Sequence, residues 1–348
     1  MKTVKVAIVG ASGYAGEDLV RLLLGHPHAD LVAVTSRQYA GQTLAHVFPR
    51  YSHYPKTKTL QFTEPNAELL AKDAEAVFLA LPHGVAAEYA VPLLQSDASV
   101  IDLSADFRLK DPTVYQEFYG HEHPAPKLLK KSVYGLAEIY REQIRNSNFI
   151  ACPGCYPTSI LLPIIPLLRA KLINPQSIIA DSMSGVTGAG RKVEADYLFA
   201  ECNESVRPYG IPKHRHLSEL EQEASLAAGT KVTMQFTPHL IPINRGILTT
   251  LYLEPTEKVS DELGNKITRV YQDAYGKDVF IRLLEGKALP DTKNIAGTNF
   301  FELAWRLDPR TGRLIVMSAE DNIVKGTSGQ AIQCFNIMNG FPETAGLI

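Results

Sequence analysis

The most reactive side chain in this sequence stands in the run Ala151-Cys152-Pro153-Gly154-Cys155-Tyr156-Pro157-Thr158-Ser159. An apolar, strand-like stretch leads into it, and 160–168 has the apolar character of a helix leaving it. Cys155 therefore falls just ahead of a helix N-terminus, where the positive end of the helix dipole favours thiolate over thiol. A thiolate at such a junction is suited to nucleophilic catalysis. Further along comes Lys213-His214-Arg215-His216-Leu217-Ser218-Glu219. Two imidazoles and two further cations can stabilise a thiolate, and one imidazole can move protons near neutral pH. Cys334, inside Ala331-Ile332-Gln333-Cys334-Phe335, reads instead as a buried, inert thiol.

The same residues permit other chemistry. Cys152 and Cys155 form a CxxC, the spacing of a dithiol redox pair. Such pairs belong to small thioredoxin-like units, which have no use for a His-Arg-His cluster. Cys152, Cys155, His214 and His216 also number four, enough for a tetrahedral zinc. The HxH spacing and the lack of a second tight pair speak against that reading, and no metal is expected. Histidines in a polar loop are also commonly plain surface residues.

A second chemical feature opens the chain. Gly10-Ala11-Ser12-Gly13-Tyr14-Ala15-Gly16 is a GxxGxxG turn between a strand-like and a helix-like segment. In a dinucleotide site the first glycine makes the tight turn, the middle one admits a pyrophosphate, and the third permits close helix packing. Free N–H groups at the helix start then face the phosphates. The second strand ends Val34-Thr35-Ser36-Arg37, with no carboxylate to hold ribose hydroxyls or repel a 2′-phosphate. Ser36 and Arg37 in that place favour NADP over NAD. Arg37 as a solvated loop residue is the plain alternative.

These sites need a frame, and the apolar pattern supplies one. Strands are predicted over 4–9, 31–35, 76–81 and 99–103, with helical stretches such as 86–94 between them. Strands alternating with helices imply a doubly wound, Rossmann-type parallel sheet. From about residue 149 the texture changes, with longer strands predicted over 177–183, 231–237, 246–254 and 279–284. The segments 302–307 and 313–318 flank Asp308-Pro309-Arg310-Thr311-Gly312, a hairpin signature. The fold class is α/β, with an α+β substrate domain built on a largely antiparallel sheet. Residues 1–149 form the dinucleotide domain, completed by a C-terminal segment 321–348 with a helix over 327–338. Residues 150–320 form the catalytic and oligomerisation domain.

Composition narrows the class of function. The 348 residues suit two domains, and 45% hydrophobic with 21% charged residues is ordinary for a globular protein. A net charge of −2 offers no pull toward nucleic acid or an anionic bilayer. No apolar run reaches the ~18 residues of a membrane span. Four cysteines and an N-terminus that reads as a strand, not a signal peptide, point to a reducing, cytoplasmic setting.

The chain resembles the N-acetyl-γ-glutamyl-phosphate reductase family, the arginine-biosynthesis branch of the aspartate-semialdehyde dehydrogenase superfamily. The resemblance runs over essentially the whole length. Its motifs are the glycine turn, Leu103-Ser104-Ala105-Asp106-Phe107-Arg108, Pro153-Gly154-Cys155-Tyr156-Pro157-Thr158, and Ser184-Gly185-Val186-Thr187-Gly188-Ala189-Gly190-Arg191. His214-Arg215-His216, Phe236-Thr237-Pro238-His239-Leu240-Ile241-Pro242, Asn244-Arg245-Gly246 and Asp321-Asn322-Ile323-Val324-Lys325-Gly326 complete it. Cys152 stands where the family usually has asparagine, and Leu217-Ser218 where it tends toward Thr-Pro. The resemblance implies NADPH-dependent reduction of an acyl phosphate to an aldehyde through a thioester on Cys155. His216 is the first choice of acid/base and His214 the second, with Glu219 orienting an imidazole. Arg108 and Arg245 take phosphate and carboxylate in either order, and Tyr209 is grouped with them at the substrate. Ser184, Gly185 and Asn322 frame the nicotinamide end of the cofactor. The expected partners are a small-molecule substrate and further copies of the chain, as a dimer or tetramer. Aminoadipyl or aspartyl phosphate as substrate, or an idle NADP-binding sensor, are the alternatives.

Overall fold

The computed structural model describes residues 2–191 and 193–348, in two compact units. The first comprises the residues up to Pro153 together with Thr327–Ile348; the second is Gly154–Gly326.

The first unit is built on strands β1 (Val4–Val9), β2 (Ala29–Thr35), β3 (Phe62–Thr63), β4 (Ala76–Leu79), β5 (Ser99–Asp102), β6 (Val133–Tyr134) and β7 (Phe149–Ala151). Their order is β3-β2-β1-β4-β5-β7-β6, and every pairing is parallel. Val6, Ile8, Phe78 and Ile101 face one fully buried layer, while Ala7, Val9, Val77 and Val100 face another. Burial on both faces explains why these strands read as continuous apolar runs. The expected doubly wound sheet is present. The C-terminal helix Gly329–Asn339 packs within this unit. Ser328 Oγ donates to Asp18 at 3.0 Å, Gln333 Nε2 donates to Glu138 at 3.0 Å, and Asn336 Oδ1 meets His26 Nε2 at 2.8 Å.

The second unit carries β8 (Ile179–Ser184), β9 (Arg207–Pro208), β10 (Gln235–Leu240), β11 (Ile247–Leu253), β12 (Ile281–Leu283), β13 (Phe301–Asp308) and β14 (Arg313–Glu320). The order is β12-β13-β14-β11-β8-β10-β9. Only β12–β13 and β8–β10 pair in parallel. The expected hairpin forms, with Asp308 opposite Arg313 and Arg310 N–H donating to Asp308 Oδ1 at 2.9 Å. The strand expected over 231–237 begins only at Gln235. Val232 N–H instead donates to Ser225 Oγ and Met234 N–H to Glu221 Oε1, so helix side chains take the donors a ladder would need.

The helix after the cysteine motif runs Cys155–Arg169, five residues earlier than its apolar pattern suggested. Pro157 lies in the first turn, where no helical N–H is required. Pro163 and Pro166 lie inside, and each removes a donor. The carbonyls so released are met by side chains: Ser318 Oγ donates to Ser159 O at 2.8 Å, and Tyr275 OH to Leu162 O at 2.6 Å. This is a tertiary remedy for a local defect.

Candidate active site

In the first unit the glycine turn lies between β1 and the helix Tyr14–Leu24. β1 has β2 on one side and β4 on the other, so the turn sits at the topological switch point where such sheets bind ligands. Gly10 has φ +82°, and a Cβ there would lie 2.3 Å from Ala80 O. A Cβ at Gly16 would lie 2.3 Å from Gly10 O. At Gly13 the nearest atom is Gly10 O at 3.8 Å, an ordinary contact, so this position is not crowded. The helix start has no side-chain cap. Crowded where the chain must fold and uncrowded where a phosphate would approach, the turn fits a dinucleotide.

Ser12 and Ser36 hydroxyls bond at 2.9 Å, and Ser36 N–H donates to Thr63 O at 3.0 Å. Ser36 is buried and Arg37 exposed, so the end of β2 is fixed while the guanidinium reaches outward. Tyr14 and Ala15 occupy the first helical positions.

Arg108, also in the first unit, is buried. Its Nε donates to Cys152 O at 2.7 Å and its Nη2 to Leu103 O at 3.0 Å. It thus ties together the residues that follow β7 and β5. Asp106, two residues earlier, accepts from Gly84 N–H at 2.7 Å, Ala86 N–H at 3.0 Å and Tyr115 OH at 3.1 Å. Burial, reinforced by Asp106, pushes the Asp102 carboxyl up to about 7.

The second unit holds the cysteine. Cys155 is the first residue of its helix, half-buried, with Gly154 as N-cap. Glu219, on the helix His216–Ala228, is buried and its Oε1 accepts from Gly154 N–H at 2.9 Å. Glu219, expected to orient an imidazole, is seen here to fix the turn that presents the thiol. Tyr156, next to the cysteine, packs its ring edge-on against His214 and His216 with centroids 5.7 and 6.0 Å apart. Its hydroxyl bonds that of Tyr209 at 2.8 Å. Burial raises the Tyr156 phenol far above its usual range and keeps it neutral.

The two histidines are distinguished by their surroundings. His214 Nδ1 accepts from His216 N–H at 3.1 Å. A backbone N–H can only donate, so the His214 proton sits on Nε2. Burial, then neighbouring Arg215, lowers its pKa to about 4. At neutral pH His214 is an uncharged Nε2–H donor. His216 begins its helix, its ring 4.9 Å from that of His214.

Two loops flank this cluster. Gly185 N–H donates to Gly246 O at 3.0 Å, and Val186 N–H to Ile243 O at 2.9 Å. Asn322 joins the loops from outside: its Oδ1 accepts from Gly246 N–H at 2.8 Å, and its Nδ2 donates to Thr187 Oγ1 at 3.0 Å. Ser184 is buried, its Oγ donating to Gly185 O at 3.1 Å. Arg245, 29% exposed, lies 3.7 Å from Asp321 Oδ2.

Pattern reading missed one contact. A Cβ at Gly326 would lie 2.7 Å from Cys155 Cβ and 3.1 Å from its Cα. Only glycine lets this segment close against Cys155. Gly326 falls in a π-turn, Val324–Ser328, where its N–H reaches back to Asp321 O at 2.9 Å. Such turns are common at functional sites. The matched Lys-Gly dipeptide marks the position, but no local pattern tells which side chain it meets. Among the described residues no group of three or more His, Cys, Asp or Glu is placed to hold a metal, and no helix is long and apolar enough to cross a membrane.

A doubly wound sheet with a glycine turn, and a mixed sheet with a half-buried cysteine at a helix start, whose neighbour Tyr156 packs on two histidines, are the features of the semialdehyde dehydrogenase class. The semialdehyde dehydrogenase NAD-binding domain model matches residues 5–147, and the dimerisation domain model matches 155–322. Aspartate semialdehyde dehydrogenase II of Vibrio cholerae, solved with ASA, has this fold at TM-score 0.73 and 17% identity, covering 98% of this chain and 99% of that one. An N-acetyl-γ-glutamyl-phosphate reductase of Akkermansia muciniphila is 54% identical over 100% of this chain and 99% of its own length. That of Geotalea daltonii is 48% identical over 99% of this chain and 97% of its own. The chain belongs to the N-acetyl-γ-glutamyl-phosphate reductase family and is an oxidoreductase.

Proposed function

We propose that this enzyme reduces N-acetyl-γ-glutamyl phosphate to N-acetylglutamate 5-semialdehyde, a step of arginine biosynthesis, with release of phosphate and consumption of NADPH. The observation that carries the reading is the placement of Cys155 at the head of a helix, next to Tyr156 whose ring packs on two histidines, in a chain 54% identical to such a reductase over its full length.

Cys155 Sγ attacks the acyl carbon, the bond from that carbon to the phosphate oxygen breaks, and phosphate leaves with the electron pair. The product is a thioester. NADPH, when bound, supplies the hydride that turns the thioester into a thiohemiacetal. His216, as its imidazolium, gives a proton to the oxygen as the hydride adds and takes it back as the C–S bond breaks, so the thiolate returns and the aldehyde departs. His214, neutral with its proton on Nε2, serves as a hydrogen-bond donor. Glu219 holds Gly154 and hence the direction of the thiol. Arg245 and Tyr209 bind substrate, Arg245 by forking onto a carboxylate. Arg108 fixes the chain ahead of the cysteine motif, and its guanidinium is assigned to phosphate. Gly10, Ser12, Gly13, Tyr14, Ala15, Gly16, Ser36 and Arg37 hold the cofactor, with Ser184, Gly185 and Asn322 as further contacts. The Arg37 guanidinium would meet a 2′-phosphate and select NADP. A solved relative in fold, an aspartate semialdehyde dehydrogenase of Candida albicans, was obtained with NADP (TM-score 0.68, 14% identity, covering 97% of this chain and 99% of that one).

A second copy of the chain is the expected partner of the outer face of the second sheet, where Ile179, Met183 and Tyr252 are exposed. Sedimentation at more than the single-chain mass checks this.

The deciding experiment runs the reaction backward, with N-acetylglutamate semialdehyde, phosphate and NADP. NADP reduction dependent on phosphate is expected, with kcat/KM at least about tenfold above that for NAD, the worth of one good charged contact. Faster turnover of aspartate or aminoadipate semialdehyde would redirect the substrate assignment. Equal rates with NAD would remove the role given to Arg37.

A further inference from the structure

We propose that Glu320 is a positioning residue for Cys155: its buried carboxylate sets how readily the thiol ionises, with Lys325 as the buried counter-charge. Strand β14 alternates, and Leu314, Val316, Ser318 and Glu320 share its inner face, all fully buried. That face lies on the cysteine helix, since Ser318 Oγ donates to Ser159 O. Two residues along the strand from Ser318 is Glu320; one helical turn back from Ser159 is Cys155. The two steps are of similar length, ~6.6 Å and ~6.0 Å. The periodicity therefore aims Glu320 at the nucleophile.

The glycine between them confirms the juxtaposition. One point, the Cβ position of Gly326, lies 2.7 Å from Cys155 Cβ and 3.0 Å from Glu320 Oε1. The carboxylate and the thiol-bearing carbon are neighbours across a residue that has no side chain. An apolar residue would satisfy the pattern of β14 at this position, so the carboxylate there calls for a purpose. Among the described residues Lys325 is the only lysine that is fully buried, and it belongs to the same turn as Gly326.

Several groups face Cys155 from the elements packed around it. Tyr156 does so from its own helix and Tyr209 from the segment before the next helix, both histidines pack on the Tyr156 ring, and Glu219 acts through Gly154. Glu320 does so from the end of β14, and the buried Lys325 of the turn beyond carries its ammonium 5.8 Å from the Phe280 ring. Asp321 is directed elsewhere, accepting from Ile323, Val324 and Gly297 N–H groups. A carboxylate beside a thiol disfavours the thiolate. A thiol ionising near the working pH is a stronger nucleophile, once deprotonated, than one held far below it. Glu320 thus offsets the helix dipole and the histidines, which all favour the anion.

This inference rests on Cys155 being the nucleophile. The test is the pH dependence of iodoacetamide alkylation, with Cys155 identified by peptide mass, in the full enzyme and in Glu320→Gln, Glu320→Asp and Lys325→Met. Glu320→Gln should move the midpoint about one unit to lower pH and Lys325→Met about as far upward, with Glu320→Asp shifted in the Gln direction by less. Should Glu320→Gln fail to fold, Glu320→Asp decides alone. Midpoints unchanged in the folded Glu320 variants overturn the proposal. If alkylation of Cys155 leaves turnover intact, the nucleophile assignment fails instead, and the two failures are distinct.

Discussion

Glycines are indispensable in both halves of this enzyme, for different reasons. At the cofactor turn, Gly10 is required by its own φ of +82° and by Ala80 O, and Gly16 by Gly10 O within the same turn. At the cysteine, Gly326 is required by Cys155, which comes from far away in the sequence. The first constraint is mostly local; the second exists only once the sheet of the second unit has formed. A dinucleotide turn can therefore be recognised from seven residues, whereas the thiol site must be assembled from segments near 155, 214, 245 and 320.

The sharpest division between the two regions comes from the nucleophile. Cys155→Ser should lower kcat by ~10⁴-fold or more while NADPH binding, followed by fluorescence titration, is retained. Cys152→Ala should keep most activity, because Cys152 is buried among apolar side chains. Abolished turnover in a folded Cys152→Ala enzyme would reverse the assignment.

The histidines come next. His216→Asn should lose ~10²–10⁴-fold in single-turnover hydride transfer. His214→Asn should lose less and leave any acid limb near neutral pH in place, since His214 titrates at about 4. A large kcat loss in His214→Asn alone would exchange the roles. His214 also contributes to stability. Its folded pKa of about 4 lies below the ordinary 6.5, so the unfolded chain takes up the proton first. The contribution is complete above about 6.5 and falls as pH drops toward 4. Thermal unfolding of His214→Asn should show a weaker dependence on pH across that window.

The glycine pair tests the comparison directly. Gly326→Ala should shift Cys155 and lower kcat by ~10²-fold, the scale of a misplacement of about 1 Å, with cofactor affinity kept. Gly10→Ala should do the reverse, weakening cofactor binding with little effect on thiol alkylation. The same defect from both variants would mean that the two regions do not separate as described.

The residues of β1, β4 and β5 specify a buried parallel sheet, because burial on both faces demands continuous apolar runs. The glycine turn, the cysteine before a helix and the hairpin at Asp308–Gly312 were equally legible, since each depends on neighbours in the chain. Strand edges were not: 231–234 has strand-like residues, but Ser225 and Glu221 take its donors. The helix Cys155–Arg169 carries two internal prolines that local rules oppose, and it persists because Ser318 and Tyr275 reach the carbonyls left without partners. Likewise, that His214 stays neutral with its proton on Nε2 was settled by burial and by a backbone N–H, neither of which is written in His-Arg-His. The sequence by itself determined the chemistry available and the elements that carry it, through local periodicity and backbone preference. Only the tertiary structure decided what each side chain meets, because desolvation and close approach depend on residues far apart in the chain.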